Sequence, residues 1–419
     1  MIGPKQLLSG IARQIKVHGS NVHILKTPAE FLDTLLKLSS EVKHRSRIST
    51  LYVGSGDTER EIVNNLVTSV SRQDCDVSVI LDRYRGTRDG GTVLKELRRR
   101  GAVRLYQTPY WRKTRYQKPG IVGELLGVHH MKYYLFDDTV LISGANMSDL
   151  YFDRRQDRYL VIRSKQLADY ICYFHSLHSA SANVWDSGSY NRSHWVGKGN
   201  LSSAWATAGI FTCNTSIERE KSLRNTGPAD GDTCLYPLFQ IPWFSVHQID
   251  ESLDLLFSTA HSNQRVTISS GYFNPSKRLL DTLKHSKAEV DIIIPSIEAN
   301  GFYKGANVKG LVPDMYNLSA MRALEKCPNV NILEYNRPGW SYHAKGVWSD
   351  NLTILGSSNF NRRSSMRDTE LSVALVTDNE DLKENLMAER DSLRFYSADL
   401  QKSYRPISAL GFPVMSQFL

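Results

Sequence analysis

Two histidine-lysine pairs are the residues of this chain best suited to chemistry. His130 and Lys132 stand in HHMKYYLFDD with Asp137, and His343 and Lys345 stand in YHAKGVWSD with Asp350; both phrases have the spacing H-x-K-x4-D. Asn146 and Asn359 each lie sixteen positions beyond their histidine, and Asp157 and Glu370 each lie twenty-seven beyond. An imidazole can attack an electrophile or trade a proton with it, and a lysine can neutralise the charge of a phosphate. One such phrase arises by chance in a long chain, and a lone histidine is usually an ordinary hydrogen-bonded residue. Two copies with matched downstream residues point to one doubled site.

Residues two apart on a strand share a face, so His130 and Lys132 point the same way, as do His343 and Lys345. Asp137 and Asp350 have the opposite parity. They fall at Asp-Asp and Asp-Asn steps before the apolar runs TVLIS and LTIL, where a turn is expected. Each motif aspartate should therefore hold a hairpin and not touch substrate. The acids expected to orient the imidazoles, fixing which ring nitrogen carries the proton, are Asp157 and Glu370.

These motifs resemble those of the phospholipase D superfamily, whose members build one active site from two H-x-K-x4-D halves. Its serine beside the asparagine is kept in Gly356-Ser357-Ser358-Asn359, whereas the first half reads Ser143-Gly144-Ala145-Asn146. The stretches HHMKYYLFDDTVLISGAN with DRRQDRY, and EANGFYKG with RPGWSYHAKGVW, are similar to the phosphatidylglycerophosphate synthase family over most of residues 20 to 390. That resemblance implies a catalytic set of His130, Lys132, Asp137, His343, Lys345 and Asp350, with Asn146 and Asn359 against substrate. It implies His130 as nucleophile, although the sequence has no independent way to order the two histidines. The implied reaction moves the phosphatidyl group of CDP-diacylglycerol to glycerol 3-phosphate. It releases CMP and gives phosphatidylglycerophosphate for phosphatidylglycerol and cardiolipin synthesis, on the matrix side of the mitochondrial inner membrane.

The acceptor's phosphate requires cations. Candidates are Arg85 and Arg88 in RYRGTR, and Arg112, Lys113 and Arg115 in YWRKTR, where strand ends should face a cleft. Each one taken singly is more often a solvated surface charge. The aromatic-basic run from Tyr110 to Arg115 also permits nucleic-acid stacking, so a phospholipase or nuclease is the alternative reading. A lipid-binding module without catalysis ranks last, because no motif histidine or lysine is missing. Neither half offers a cluster with metal-ligand spacing, and no metal or other cofactor is expected.

Composition sets wider bounds. The chain has 419 residues, 41% hydrophobic and 23% charged, with a net charge of +9, which describes a globular protein with anionic partners such as an anionic membrane surface. Five scattered cysteines suggest neither a disulfide framework nor a zinc site. No apolar run approaches the roughly 20 residues that span a bilayer. The first 29 residues lack Asp and Glu, and Ile2, Leu7, Leu8, Ile11 and Ile15 recur near helical spacing. Residues 1 to 20 therefore read as a basic amphipathic segment, a targeting or anchoring element, or a plain basic terminus.

The elements that must position the two phrases also repeat. RISTLYVGSG at 47 to 56 parallels VTISSGYFNPS at 266 to 276, and VSVILD at 77 to 82 parallels VDIIIP at 290 to 295. Helices are expected at 58 to 73 and 276 to 288, then at 165 to 180 and 380 to 394. Strand-helix-strand order implies parallel pairing with right-handed crossovers. The expected architecture is α/β, with two similar layered halves at 21 to 182 and 236 to 395 sharing one active site. Each half should have a mainly parallel sheet flanked by helices. Residues 183 to 235, rich in Ser, Gly and Asn, read as a linker or insertion, and 396 to 419 as a C-terminal segment.

Overall fold

The structure, a computed structural model, describes residues 4–108 apart from 74 and 90, residues 124 and 126–185, and residues 231–419 apart from 351, 403, 417 and 418. Two sheets repeat one plan. In the first, Arg45–Thr50, Asp76–Asp82 and Val103–Tyr106 run parallel; in the second, Arg265–Ser269, Glu289–Pro295 and Val330–Tyr335 do so. On the other side of each first strand comes an antiparallel series. It runs Tyr133–Phe136, Thr139–Ser143, Tyr159–Arg163 and Val22–Leu25 in one half, and Gly346–Ser349, Leu352–Gly356, Glu370–Thr377 and Thr233–Ile241 in the other.

The α/β class and the doubled architecture agree with the sequence reading, but the sheets are mixed and not mainly parallel. Crossover helices enforce parallel pairing only among the three strands that they join. Beyond them, Tyr133–Phe136 with Thr139–Ser143 and Gly346–Ser349 with Leu352–Gly356 form antiparallel hairpins, the next strand of each half adds antiparallel, and Val22–Leu25 and Thr233–Ile241 come back antiparallel from the start of each half. The repeat also exceeds the expected limits, since Thr233 already begins a strand and Ser397–Asp399 closes the second sheet against Val330–Tyr335.

The N-terminal segment departs further from a single amphipathic helix. Among the described residues Pro4–Ser9 is a short α-helix, and Ile15–Val17 is a strand that pairs with Thr233–Leu235 of the second sheet. Ile15 and Val17 are buried with Lys16 exposed between them, a period of two that favours a strand once an edge is available. In the stretch read as a linker, Asn183–Val184 pairs with Val103–Tyr106, and residues 186–230 lie outside the described residues.

Helices Lys165–Ala180 and Glu380–Phe395 occupy matching places and contribute Leu167, Ile171 and Phe174, and Leu382, Leu386 and Leu393, to a core that both sheets share. Ser164 and Asn379 cap them, accepting the N–H groups of Leu167 and Leu382 at 3.2 and 3.0 Å. Arg158 ties the halves together. Its buried guanidinium donates to Glu389 at 3.0 and 2.8 Å and to the Ile354 carbonyl at 3.0 Å, and lies 3.7 Å over the Trp348 ring. Gly346 makes room for it, because a Cβ there would fall 1.9 Å from Arg158 Nη1.

Candidate active site

The two motifs meet where the sheets face each other, and each histidine is held by the other half. His130 donates its backbone N–H to the Thr369 carbonyl at 2.9 Å, while its Nδ1 lies 2.9 and 3.0 Å from the Glu370 oxygens. His343 donates its backbone N–H to Gln156 at 2.8 Å, and its Nδ1 lies 2.7 Å from Asp157 Oδ2. Short strands enforce the crossing: Arg155–Gln156 pairs in parallel with Ser341–Tyr342, and His129 bridges Thr369. With Nδ1 facing a carboxylate, Nε2 of each ring is the nitrogen left for chemistry.

Lys132 and Lys345 are fully buried, and each ammonium turns back on its motif; Lys132 Nζ donates to the His130 carbonyl at 2.6 Å, and Lys345 Nζ donates to that of His343. Burial lowers their pKa values to about 8 and about 7, against the pull of Glu370 and Asp157 respectively. An anionic phosphate is the counter-charge that would restore them. Burial also lowers the pKa of both histidines, more for His343, where the Lys345 cation adds to the effect; at His130 the Glu370 carboxylate opposes it.

The two acids differ. Glu370 accepts hydrogen bonds from Ser357 and, at 2.8 Å, from Ser364. Burial alone would raise its pKa, but His130, Lys132 and Ser357 outweigh burial and hold it at about 2. Asp157 has Gly144 where Glu370 has Ser357, and a Cβ on Gly144 would lie 2.6 Å from Asp157 Oδ1. Burial pushes Asp157 up to about 6, against Lys345.

The asparagines differ as well. Asn146 is consumed by the fold: Oδ1 accepts from Thr50 and the Leu51 N–H at 3.2 and 3.3 Å, and Nδ2 donates to the Tyr151 hydroxyl at 2.9 Å. Asn359 keeps a buried Oδ1 with no hydrogen-bond partner among the described residues. Asp137 and Asp350 stay outside the site. Asp137, at φ +51°, accepts the N–H groups of Lys43, His44 and Arg45 at 2.9, 2.7 and 3.1 Å, and Asp350 is an exposed turn residue. The family resemblance groups both with the catalytic residues, whereas their strand parity predicts hairpin turns, and it is at hairpin turns that the structure has them.

Among the basic candidates, Arg85 lies 4.0 Å over the Tyr52 ring and Arg88 pairs with Glu124, so Arg88 is already neutralised. Arg112, Lys113 and Arg115 lie outside the described residues.

A family model described as "Cardiolipin synthase, PLD-like domain" matches residues 35–178 and 256–393, one match per half. The human mitochondrial CDP-diacylglycerol–glycerol-3-phosphate 3-phosphatidyltransferase is 31% identical over 93% of this chain and 80% of its own length. The chain belongs to this family of phospholipase D-like transferases. Its Schizosaccharomyces pombe member is 28% identical over 92% of this chain and 91% of its own length. Among solved structures, phosphatidylserine synthase of Haemophilus influenzae matches with a TM-score of 0.78 at 21% identity, covering 99% of this chain and all of that one, which shows the shared fold.

Several residues around this transferase-family site escape motif reading. Ser364 stands five positions after Asn359 and Tyr151 five after Asn146, so extending the repeat by those five positions locates both. Tyr151 and Tyr272 approach the His343 ring edge-on, with centroids 5.2 and 5.5 Å away. Asp82, buried, accepts the N–H groups of Tyr84, Arg85 and His129 at 2.9, 2.7 and 2.9 Å, fixing the residue before His130; only the fold brings those partners together.

Proposed function

We propose that the chain transfers the phosphatidyl group of CDP-diacylglycerol to glycerol 3-phosphate, forming phosphatidylglycerophosphate and CMP. The observation that carries this reading is the pair of cross-braced histidines flanked by two buried lysines, in a chain of the named transferase family.

In the first step Nε2 of His130 attacks the phosphorus that bears the diacylglycerol, and the bond from that phosphorus to the CMP oxygen breaks. The electron pair stays with CMP, and His343 supplies the proton. In the second step the primary hydroxyl of glycerol 3-phosphate attacks the phosphohistidine, His343 takes the hydroxyl proton, and the N–P bond returns its pair to His130. Glu370, held ionised by its donors, stabilises the positive ring that His130 becomes on phosphorylation, which supports His130 as nucleophile. Lys132 and Lys345 offset the charge on the phosphoryl oxygens. Asn359 offers its amide to the substrate, and Arg85 a cation near the cleft. No step calls for a cofactor.

Because water is present at about 55 M, transfer depends on a bound and oriented acceptor. A lipid substrate also requires an interface. Among the described residues no helix is long and apolar enough to cross a membrane. We place the enzyme peripherally on an anionic bilayer, the matrix face of the mitochondrial inner membrane; the net charge of +9 and the word "mitochondrial" in the relatives' names support this.

Trapping tests the order of the histidines. With CDP-diacylglycerol labelled in the phosphatidyl group, His343→Ala should accumulate label slowly on His130, and His130→Ala should trap none. Label on His343 alone would reverse the assignment.

A further inference from the structure

The two histidines sit in backbone frames of one design and opposite charge. Two positions before the orienting acid stands Arg155 in one frame and Asp368 in the other. Asp368 is spoken for: it accepts from Arg363 at 3.1 and 3.2 Å and from the Val128 N–H at 2.9 Å. Arg155 has no carboxylate at ion-pair distance among the described residues. Its guanidinium lies 4.4 Å over the Tyr151 ring, one Nη donates to the Tyr272 hydroxyl at 3.3 Å, and its Nε is buried without a hydrogen-bond partner.

Those two tyrosines are the rings packed edge-on against His343, so the cation stands on the His343 side of the site. Gly301 closes around it; a Cβ there would fall 2.9 Å from the Tyr272 hydroxyl and 3.2 Å from Arg155 Nη1. A half-buried planar cation held between two tyrosines, with its buried Nε unspent, is completed by an anion, and a guanidinium fork matches phosphate oxygens.

We propose that Arg155 binds the phosphate monoester carried by whichever group occupies the His343 side of the reacting phosphorus. This rests on the transfer reaction proposed above. If His130 attacks in line, both the leaving nucleotide and the incoming acceptor lie opposite it, beside His343. CMP and glycerol 3-phosphate each carry a phosphate monoester, and Arg155 serves one of them or each in turn.

The test compares the wild-type enzyme with Arg155→Lys and Arg155→Gln in two assays, after thermal melting of each protein. One assay measures the KM for glycerol 3-phosphate in product formation. The other measures exchange of labelled CMP into CDP-diacylglycerol without acceptor. Loss of a charge-assisted contact should raise the KM of the ligand concerned roughly ten- to hundred-fold in the Gln variant. The Lys variant, which keeps charge but loses the fork, should show a smaller rise and read the effect even if the Gln variant does not fold. A raised KM for glycerol 3-phosphate alone assigns the acceptor, one for CMP alone assigns the nucleotide, and a rise in both assigns shared use. KM values within twofold of wild type for both ligands, in every variant that melts like wild type, overturn the proposal, whatever happens to turnover. Wild-type enzyme that exchanges CMP yet makes no phosphatidylglycerophosphate would count against the transfer reading alone, and the exchange assay would still test Arg155.

Discussion

Charge at the centre of this molecule is set residue by residue. Lys132 and Lys345 are both removed from water, and Glu370 and Asp157 answer them unequally because Ser357 and Ser364 donate to one acid while Gly144 leaves the other without a hydroxyl. The consequence is a pH dependence with a defined sign. Lys345, lowered to about 7, loses its proton as pH rises through neutrality in the free enzyme, so kcat/KM should fall on the alkaline side well below the ordinary lysine range. An arginine cannot be deprotonated there. In Lys345→Arg the plateau should drop, since the larger fork fits the pocket less well, but the alkaline fall should move to higher pH. A Lys345→Arg profile with the wild-type alkaline limb would show that another group sets it.

At the scale of elements, the third member of each motif belongs to the scaffold. Removing the Asp137 carboxylate leaves three backbone N–H groups without their acceptor and a left-handed residue without its compensating bonds. Asp137→Ala should cost about 1–3 kcal/mol in denaturant unfolding, with catalysis retained in the folded fraction. Asp350→Ala should stay within about 0.5 kcal/mol, because its side chain is exposed in a turn. Equal losses of turnover in the two variants with unchanged stability would return both residues to the chemistry. The opposite parity of these aspartates was legible because strands repeat every two residues, and the paired phrases made the two halves legible for the same reason. Sequence did not reveal that Glu370 faces His130 and Asp157 faces His343, since a repeat does not say whether its copies pair within or across. Arg155 and Asp368 stayed hidden because they occupy equivalent positions with opposite charge. The mixed sheet was missed because strand-helix-strand order describes only three strands of each half.

The whole molecule makes its site by bringing two halves face to face, with Arg158 and Glu389 bridging them and the shared apolar core behind. A net charge of +9 over that body predicts docking governed by electrostatics. Flotation with vesicles containing cardiolipin or phosphatidylglycerol should exceed flotation with phosphatidylcholine alone and weaken as salt rises from 50 to 500 mM, roughly from a 14 to a 4 Å screening length. Binding that ignores both lipid charge and salt would contradict this docking. The proposed transfer is completed by an acceptor, not water. Its most direct measurement follows CMP release and lipid products from CDP-diacylglycerol with glycerol 3-phosphate, with glycerol, and with neither. Fast CMP release and phosphatidylglycerophosphate are expected only with glycerol 3-phosphate, with little product from glycerol and phosphatidic acid as a minor product. Rapid hydrolysis to phosphatidic acid whatever the acceptor would contradict it in favour of a phospholipase, and comparable cleavage of DNA or RNA would contradict it in favour of a nuclease.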